Sequence, residues 1–316
     1  MRKLSYILCA LGIAVLFCVP AVTEVADMSY YLDFTTRVVI FAMAAVSLDL
    51  ILGYGGMVSF GHAAFLGVGG YAVGILSYYG ITDGFIHFGV AILASALVAL
   101  FIGMLSVRTI GVYFIMITLA FSQMLYYLAI SVNTYGGDDG LSVRGASVFA
   151  GVVDLADRDQ LYYASLAILL GMLLICYRLI GSRFGMVLRG IKSDERRMIA
   201  IGYSPFRYKL LAFVISGVMC GIAGALLANQ TLFISPAIMH WSRSGEIMVM
   251  AILGGISTLF GSVIGAGLYL GLEETLSRFT PHWQVLLGPL LVVVVLFARN
   301  GVLSLIVPRR AKTRHG

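Results

Sequence analysis

Long apolar runs separated by short polar connections dominate the chain. Five stretches contain no Asp, Glu, Lys or Arg: 50–82, 84–107, 109–137, 210–242 and 247–272. A helix that crosses a bilayer needs about 20 predominantly apolar residues, so each of these stretches is long enough. The pattern predicts an all-α polytopic membrane protein with spans near 4–20, 37–52, 57–79, 86–107, 110–130, 161–179, 210–230, 246–272 and 283–306.

Composition agrees with this fold class. Over 316 residues the chain is 60% hydrophobic and 11% charged, and its mean hydropathy is +0.98, whereas typical globular domains carry about 25% charged residues. A soluble core cannot bury this much apolar surface, so the partner of most of it is the lipid bilayer. The net charge of +6 is explained by the rule that cytoplasmic loops are basic, and we expect no nucleic-acid partner.

The distribution of charge predicts the orientation. Segment 178–209 holds eight of the 21 Lys and Arg residues, and the N-terminus and the tail 307–316 are also basic. The connections 131–160 and 21–36 are acidic, which indicates the exterior. We therefore expect both termini, the tail and 178–209 to be cytoplasmic, in one transmembrane domain over residues 1–316.

The first 20 residues have the basic start and the apolar run of a signal peptide, but no clean A-x-A cleavage site follows. We expect a retained first helix.

Nine spans would place the two basic ends on opposite sides, so one span must be divided or missing. The run "ILGGISTLFGSVIGAG" lies within 246–272, where the pair Gly254 and Gly255 can break the helix. A break there gives about ten membrane elements and places Glu273 and Glu274 outside. Broken helices are tolerated where they face protein or a cavity, and they often mark transport sites. The alternative is one long tilted helix and a span missed elsewhere.

A second unusual stretch is "SLDLILGYGGMVSFGHAAFLGVGGY", residues 47–71. Ionisable residues inside membranes are costly and usually face a cavity or a partner. The stretch can line a translocation path, or form a proton relay of Asp49 and His62 in a secondary transporter; alternatively, Asp49 simply lies near a membrane boundary. For His62 alone, a structural hydrogen bond to a neighbouring helix is favoured. The candidate pathway residues are Asp49, Gly55, Ser59, His62, Gly254 and Gly255.

The connection 133–145 contains paired aspartates between glycines, Asp138 and Asp139. They could bind a cation, but the spacing and the distal Glu of an EF-hand are absent. A tight exterior turn is the favoured interpretation, and no metal site is predicted.

Segment 193–209, "SDERRMIAIGYSPFRYK", has the start and stop signals of a short helix. Ser193 is a good N-cap, and Asp194 and Glu195 would lie in the first turn, where acidic groups suit the helix dipole. Gly202 can terminate the helix, and Pro205 blocks its continuation. A helix of about eight residues is too short to cross a membrane or to be stable alone.

This short helix needs a surface to dock on. Met198, Ile199 and Ile201 would give it an apolar side, and Arg196 and Arg197 a charged one. The alternative is a solvated basic loop, which explains the charge but not the start and stop signals.

Catalytic motifs are not visible in the sequence. No lysine lies in a G-x-x-x-x-G-K-[ST] loop, and neither H-E-x-x-H nor G-x-S-x-G occurs. The chain is therefore not expected to hydrolyse ATP or to be an enzyme, and an intramembrane enzyme is the weakest of the competing hypotheses.

Four motifs in order carry a family resemblance over residues 37–300: "LDLILGYGGMVSFGHAAFLGVGGY", "TYGGDDGLS", "IKSDERRMIAIGYSPFRYKLLAFVISGVMCGIAGAL" and "ILGGISTLFGSVIGAGL". Together they resemble the LivM-type permease subunit of branched-chain amino acid ABC importers. The resemblance implies a type II ABC importer-like permease bundle in the bacterial inner membrane. It also implies a second, LivH-type permease, two cytoplasmic P-loop ATPases that hold ATP and Mg, and a periplasmic substrate-binding protein.

In the resembled family, a cytoplasmic loop with Glu and, seven residues later, Gly docks into the ATPase. That pattern matches Glu195 and Gly202 here, while Arg196 and Arg197 stand where family permeases often have small residues. The resemblance thus implies ATPase-coupling residues, which are Ser193, Asp194, Glu195, Arg196, Arg197, Met198, Ile199, Ile201 and Gly202. Related systems carry leucine, isoleucine and valine, but also amides, urea or aromatic acids.

Overall fold

The computed structural model describes Pro20 and residues 29–151, 153–279, 282 and 284–289. The predicted spans at 4–20 and 283–306 lie largely outside these residues, and the basic tail at 307–316 lies wholly outside them.

The described chain is mostly helical. Its α-helices are α1 Ser29–Asp49, α2 His62–Tyr78, α3 Gly84–Ser106, α4 Val112–Ser131, α5 Arg158–Gly181, α6 Arg183–Ser193, α7 Glu195–Ala200, α8 Pro205–Thr231, α9 Trp241–Gly254 and α10 Leu259–Phe279. A π-helical turn, Leu50–Tyr54, continues α1, and short 3-10 turns occur at Asn133–Tyr135, Gly137–Asp139 and Pro236–Met239.

Four two-residue strands lie in the connections: β1 Leu141–Ser142, β2 Val148–Phe149, β3 Val153–Asp154 and β4 Phe233–Ile234. β1 pairs antiparallel with β4, and β2 with β3.

Helices α1, α2 and α8 form the centre of the bundle, because their small residues allow close contact. A side chain at Gly69 of α2 would collide with the backbone of Gly221 in α8, and one at Gly224 with the backbone of Leu66. In lipid, burial of apolar groups does not favour helix association, so helices associate through close packing at small residues such as glycine. The outer helices α3, α4 and α5 leave Leu97, Met116 and other apolar side chains exposed.

The predicted spans agree with the helices in type and differ in their bounds. Within the described residues, five helices are long and apolar enough to cross a membrane, and a bent pair adds a sixth; α2 is apolar but has only 17 residues. Two bounds were wrong: 29–36 belongs to α1 rather than to a connection, and 57–61 is not helical. The figure of about ten elements stays a prediction.

The predicted break at Gly254 and Gly255 is confirmed. Helix α9 ends at Gly254, α10 begins at Leu259, and the two helices are bent by 117°. Because of this reversal, the end of α10 meets the start of α1: Tyr30 donates a hydrogen bond to Glu274, and Arg37 lies 3.6 Å from Glu273.

The 131–160 connection lies at the same end of the bundle as Glu273 and Glu274. Arg158, at the start of α5, pairs with Asp33 in the first turns of α1 at 3.3 Å. Asp138 and Asp139 belong to a 3-10 turn flanked by Gly136 and Gly140, whose φ angles are 91° and 86°. The turn interpretation of these aspartates is confirmed.

Candidate functional site

Two interruptions of membrane helices meet inside the bundle. The first break, residues 50–61, begins as the π-helical turn after α1 and continues as a non-helical segment to His62. The second break, residues 255–258, separates α9 from α10. Backbone groups that leave a helix inside a packed bundle need other hydrogen-bond partners, and these two irregular segments supply partners to each other.

Ser257 joins the two breaks through all three of its polar groups. Its N–H donates to Asp49 Oδ1 at 2.8 Å, and its hydroxyl donates to the Gly53 carbonyl at 2.7 Å. Its own carbonyl accepts from the Tyr54 hydroxyl at 2.8 Å. We call Asp49, Gly53, Tyr54 and Ser257 the break junction.

The break junction is tightly packed. The Asp49 side chain is fully buried, and a Cβ at Gly53 would lie 2.7 Å from the Ser257 nitrogen. Ser257 has a φ of 63°, a backbone conformation that residues other than glycine rarely adopt. Such strain persists only where the surroundings hold the residue in place.

The structure brings Asp49 to the second break but keeps His62 apart from it. His62 Nε2 lies 2.7 Å from Ser216 Oγ, and that hydroxyl donates to the Ser47 carbonyl at 2.5 Å. Nε2 therefore carries the imidazole proton. Among the described residues, His62 and Asp49 share no hydrogen-bond partner, so the arrangement fits a structural histidine and not a proton relay.

The remaining candidate pathway residues lie along the breaks. Ser59 is buried, and its hydroxyl accepts from the Gly61 N–H at 3.2 Å. Gly55 ends the π-helical turn. Gly254 packs against α10 so closely that a Cβ would collide with the Gly261 carbonyl, and Gly255 continues the chain with a φ of 114°.

The predicted coupling segment, residues 193–202, begins at the last residue of α6 and continues as the separate short helix α7. The predicted N-cap Ser193 was wrong by one residue: Ser193 is the last residue of α6, and Asp194 caps α7. The reason is that Asp194 has extended backbone angles, and its Oδ1 accepts from the Arg197 N–H at 3.1 Å. The predicted helix of about eight residues has six.

The predicted end of α7 at Gly202 is confirmed. Gly202 has a φ of 90°, its N–H donates to the Ile199 carbonyl at 2.9 Å, and the Tyr203 N–H donates to the Met198 carbonyl at 3.1 Å. These two bonds define a Schellman motif. Pro205 is the first residue of α8. It therefore prevents α7 from continuing and also suits the first position of the next helix.

The side chains of α7 mostly face outward. Ile199 and Ile201 are 56% and 63% exposed, and Arg196 and Arg197 are exposed as well. The expected apolar side therefore does not pack on the described residues of this chain, apart from Met198, which lies against Gly190. An exposed apolar edge beside two arginines has the character of a docking surface.

Ion pairing anchors the base of α7. Glu195 Oε2 lies 2.6 Å from the ammonium of Lys209, a residue of α8 that is almost fully buried. A groove of about 460 Å³ lies where the α7–α8 connection meets α6 and α8, and it is lined by Phe184, Gly202, Tyr203, Ser204, Arg207, Tyr208 and Leu211.

Lys192 connects the coupling segment to the break junction. This last-turn residue of α6 donates from Nζ to the Gly53 carbonyl at 2.6 Å. A cavity of about 350 Å³ lies between the first break, the α3–α4 connection and the coupling segment, and Gly55, Lys192, Glu195 and Lys209 are among its lining residues. Sequence reasoning missed Lys192 and Ser257, because 139 and 204 positions separate them from Gly53.

A charged cluster at the opposite end of the bundle was also missed. Arg37 lies 3.6 Å from Glu273, and Arg243 lies 2.7 Å from Glu246. Glu273 also interacts electrostatically with Arg243 and Glu246. The predicted span 246–272 placed these groups at its edges, whereas α9 and α10 carry them inside helices. The sequence did hold a signal for this cluster: Arg243 directly follows the charge-free run 210–242, and Glu273 directly follows the run 247–272.

Comparison with known proteins adds a family to this geometry. Residues 30–296 match the model of the branched-chain amino acid transport system permease component. Over 300 residues the chain is 26% identical to the high-affinity branched-chain amino acid transport system permease protein LivM of Salmonella typhimurium. The aligned region covers 88% of this chain and 71% of that protein.

Two other permease proteins of such systems match shorter parts of the chain. LivH of Escherichia coli is 33% identical over 126 residues, 39% of this chain and 40% of that protein. BraD of Pseudomonas aeruginosa is 29% identical over 168 residues, 52% of this chain and 53% of that protein. No solved structure matches the chain.

Proposed function

Because this chain belongs to the family of permease components of branched-chain amino acid transport systems, we propose that it is the membrane permease of an ATP-driven ABC importer. The solute is leucine, isoleucine or valine, or a related small polar solute such as an amide or urea. The similarity to LivM over 88% of the chain supports the amino acids first. The chain is a transport subunit and not an enzyme.

The observation that carries the ATP-driven mechanism is the outward-facing helix α7. Its exposed Ile199 and Ile201, beside Arg196 and Arg197, suit a groove on a cytoplasmic ATPase. Two such ATPases bind ATP and Mg, and their closure moves α7. The coupling residues remain Ser193, Asp194, Glu195, Arg196, Arg197, Met198, Ile199, Ile201 and Gly202, with Asp194 in the capping role first assigned to Ser193.

The assembly needs further subunits. A LivH-type permease pairs with this chain, which is supported by its similarity to both LivM and LivH. A periplasmic binding protein delivers the solute, so the permease itself needs only a weak, transient site. The complex lies in the bacterial inner membrane, with both termini and segment 178–209 cytoplasmic, as the basic residues there indicate.

The translocation path passes the two breaks. Asp49, Gly55, Ser59, Gly254 and Gly255 belong to or border these irregular segments, where backbone groups can face a solute. His62 has a structural role in this arrangement: it joins α2 to Ser216 of α8, which in turn donates to Ser47 of α1.

The competing secondary transporter is not supported. The matched family consists of permease components, and Asp49 and His62 belong to separate hydrogen-bond networks among the described residues. Transport that survives collapse of the proton gradient but stops without the ATPases would agree with this.

The first test is affinity purification of the tagged chain from its native membrane. We expect two P-loop ATPases and a second permease to co-purify. Isolation of a lone homodimer would overturn the proposal.

The second test reverses charge on α7 in the purified complex. We expect the double variant Arg196→Glu with Arg197→Glu, and separately Ile199→Gly, to insert normally and hydrolyse ATP, but to lower transport by about tenfold, since a docking contact worth about 1.4 kcal/mol is lost. The matched control is Arg183→Glu, an exposed arginine at the start of α6. Normal transport by both variants would reduce α7 to a solvated loop.

A further inference from the structure

Lys192 occupies a position where two parts of the proposed machinery touch. Its ammonium donates to the Gly53 carbonyl at 2.6 Å, and the same carbonyl accepts the Ser257 hydroxyl at 2.7 Å. A carbonyl oxygen has two lone pairs, so it can hold both donors at once. The aliphatic part of Lys192 crosses Gly56, where an added Cβ would lie 3.0 Å from Lys192 Cγ.

On the cytoplasmic side, Lys192 is connected to the docking helix α7 by a short link and by two contacts. Only Ser193 and the cap residue Asp194 separate it from α7. The Asp194 N–H donates to the Gly190 carbonyl at 3.0 Å, and Met198 of α7 packs on Gly190. A displacement of α7 therefore moves the last turn of α6 and the lysine with it.

On the membrane side, the Gly53 carbonyl belongs to the break junction. Ser257 passes a displacement of Gly53 to the second break, because its N–H is held by Asp49 and its carbonyl by Tyr54. The Lys192 ammonium also attracts the buried Asp49 carboxylate. One cation thus contacts the first break directly and the second break through one intervening residue.

We propose that Lys192 is a positioning residue that transmits movement of the ATPase-docking helix to both helix breaks. This inference rests on the proposed function, since it requires that an ATPase moves α7. A lysine suits the role because its compact charge has three donors, so its bond tolerates small changes in direction. Its bond to Gly53 can persist while α6 shifts and the π-helical turn is pulled after it.

The test uses the complete complex, with both ATPases, the second permease and the binding protein, in proteoliposomes with radiolabelled leucine as the probe. The variant Lys192→Met keeps the aliphatic stem and removes the donor, whereas Lys192→Arg keeps a donor. We expect Lys192→Met to lower the leucine transported per ATP by about tenfold, while ATP hydrolysis changes by less than about twofold. Lys192→Arg should recover at least about half of the wild-type ratio, because a charged donor remains.

Controls separate transmission from stability. Arg183→Met removes an exposed cation from the same helix and should leave the ratio of transport to hydrolysis unchanged. Thermal unfolding of the detergent-purified complex should be similar for wild type and Lys192→Met. If transport, hydrolysis and thermal stability all fall together in Lys192→Met, the residue is merely structural and the inference fails.

Two further outcomes distinguish this inference from the proposed function. If Lys192→Met keeps the wild-type ratio while the charge reversal at Arg196 and Arg197 uncouples transport, the inference fails and the proposed function stands. If the wild-type complex shows no ATP-dependent leucine transport, the proposed function fails with leucine as solute, and the inference about its coupling fails with it.

Discussion

The two helix breaks differ in construction although they touch. The first break spreads over residues 50–61, with a π-helical turn and a non-helical segment. The second occupies only residues 255–258 and relies on positive φ angles at Gly255 and Ser257. The first break is bonded directly to Lys192, which precedes the coupling segment, whereas the second break is bonded to the first through Ser257. A long irregular segment can absorb movement, and a short strained one holds a fixed angle.

The largest expected effect is a difference between the two breaks in how much stability is lost when one methyl group is added. We expect Gly254→Ala to lower the free energy of unfolding by about 3 kcal/mol, because the Cβ collides with backbone of α10 at Gly261. Gly55→Ala should lower the free energy of unfolding by about 1 kcal/mol. Its added Cβ would lie 2.7 Å from the carbonyl oxygen of Ile51, which belongs to the adjacent π-helical turn, and this turn can adjust.

Thermal unfolding of the two variants in the same detergent measures this difference. Gly245→Ala, earlier in α9, is the matched control, because its added Cβ meets only the Phe60 ring at 3.7 Å, an ordinary contact. Equal losses at Gly254 and Gly55 would contradict the distinction between a rigid and an adaptable break.

The next effect tests the contact between the breaks at Asp49. Asp49→Leu leaves the Ser257 N–H without its acceptor, and a buried unsatisfied donor costs about 1–3 kcal/mol. Asp49→Asn retains an oxygen acceptor, so we expect transport by Asp49→Asn within about threefold of wild type and a loss of about tenfold or more for Asp49→Leu. Leucine uptake by reconstituted complexes measures both. Complete loss in Asp49→Asn would instead favour a protonated carboxyl and the secondary-transporter hypothesis.

The helical parts of this comparison were predictable from the sequence, and the contacts were not. Charge-free runs indicated the spans because only the residues within each run decide whether it suits lipid. Gly254 and Gly255 indicated the second break for the same local reason, and Gly202 the end of α7. Ser193 was misplaced as a cap because Ser and Asp are both good caps, and only backbone angles decide between neighbours.

Contacts such as Lys192 with Gly53 depend on how distant helices pack, and no local pattern encodes them. A faint echo links "GMVSFG" at 56–61 with "GISTLFG" at 255–261, and it is the nearest signal in the sequence, since both segments precede a helix that returns to the same end of the bundle. The echo did not show that Ser257 would be the residue that joins them.

The smallest effect concerns the strain at Ser257, and it isolates what holds the second break in place. Ser257→Ala removes the hydroxyl bond to Gly53 and keeps the unfavourable φ, so we expect a loss of about 1 kcal/mol in the free energy of unfolding. Ser257→Gly removes the same bond but relieves the backbone strain, worth about 1–2 kcal/mol in a residue with a Cβ. After glycine's own entropic cost is subtracted, the glycine variant should therefore be more stable than the alanine variant by about 1 kcal/mol. If thermal unfolding ranks them the other way, the angle of the second break is intrinsic to its sequence and does not depend on the first break holding it.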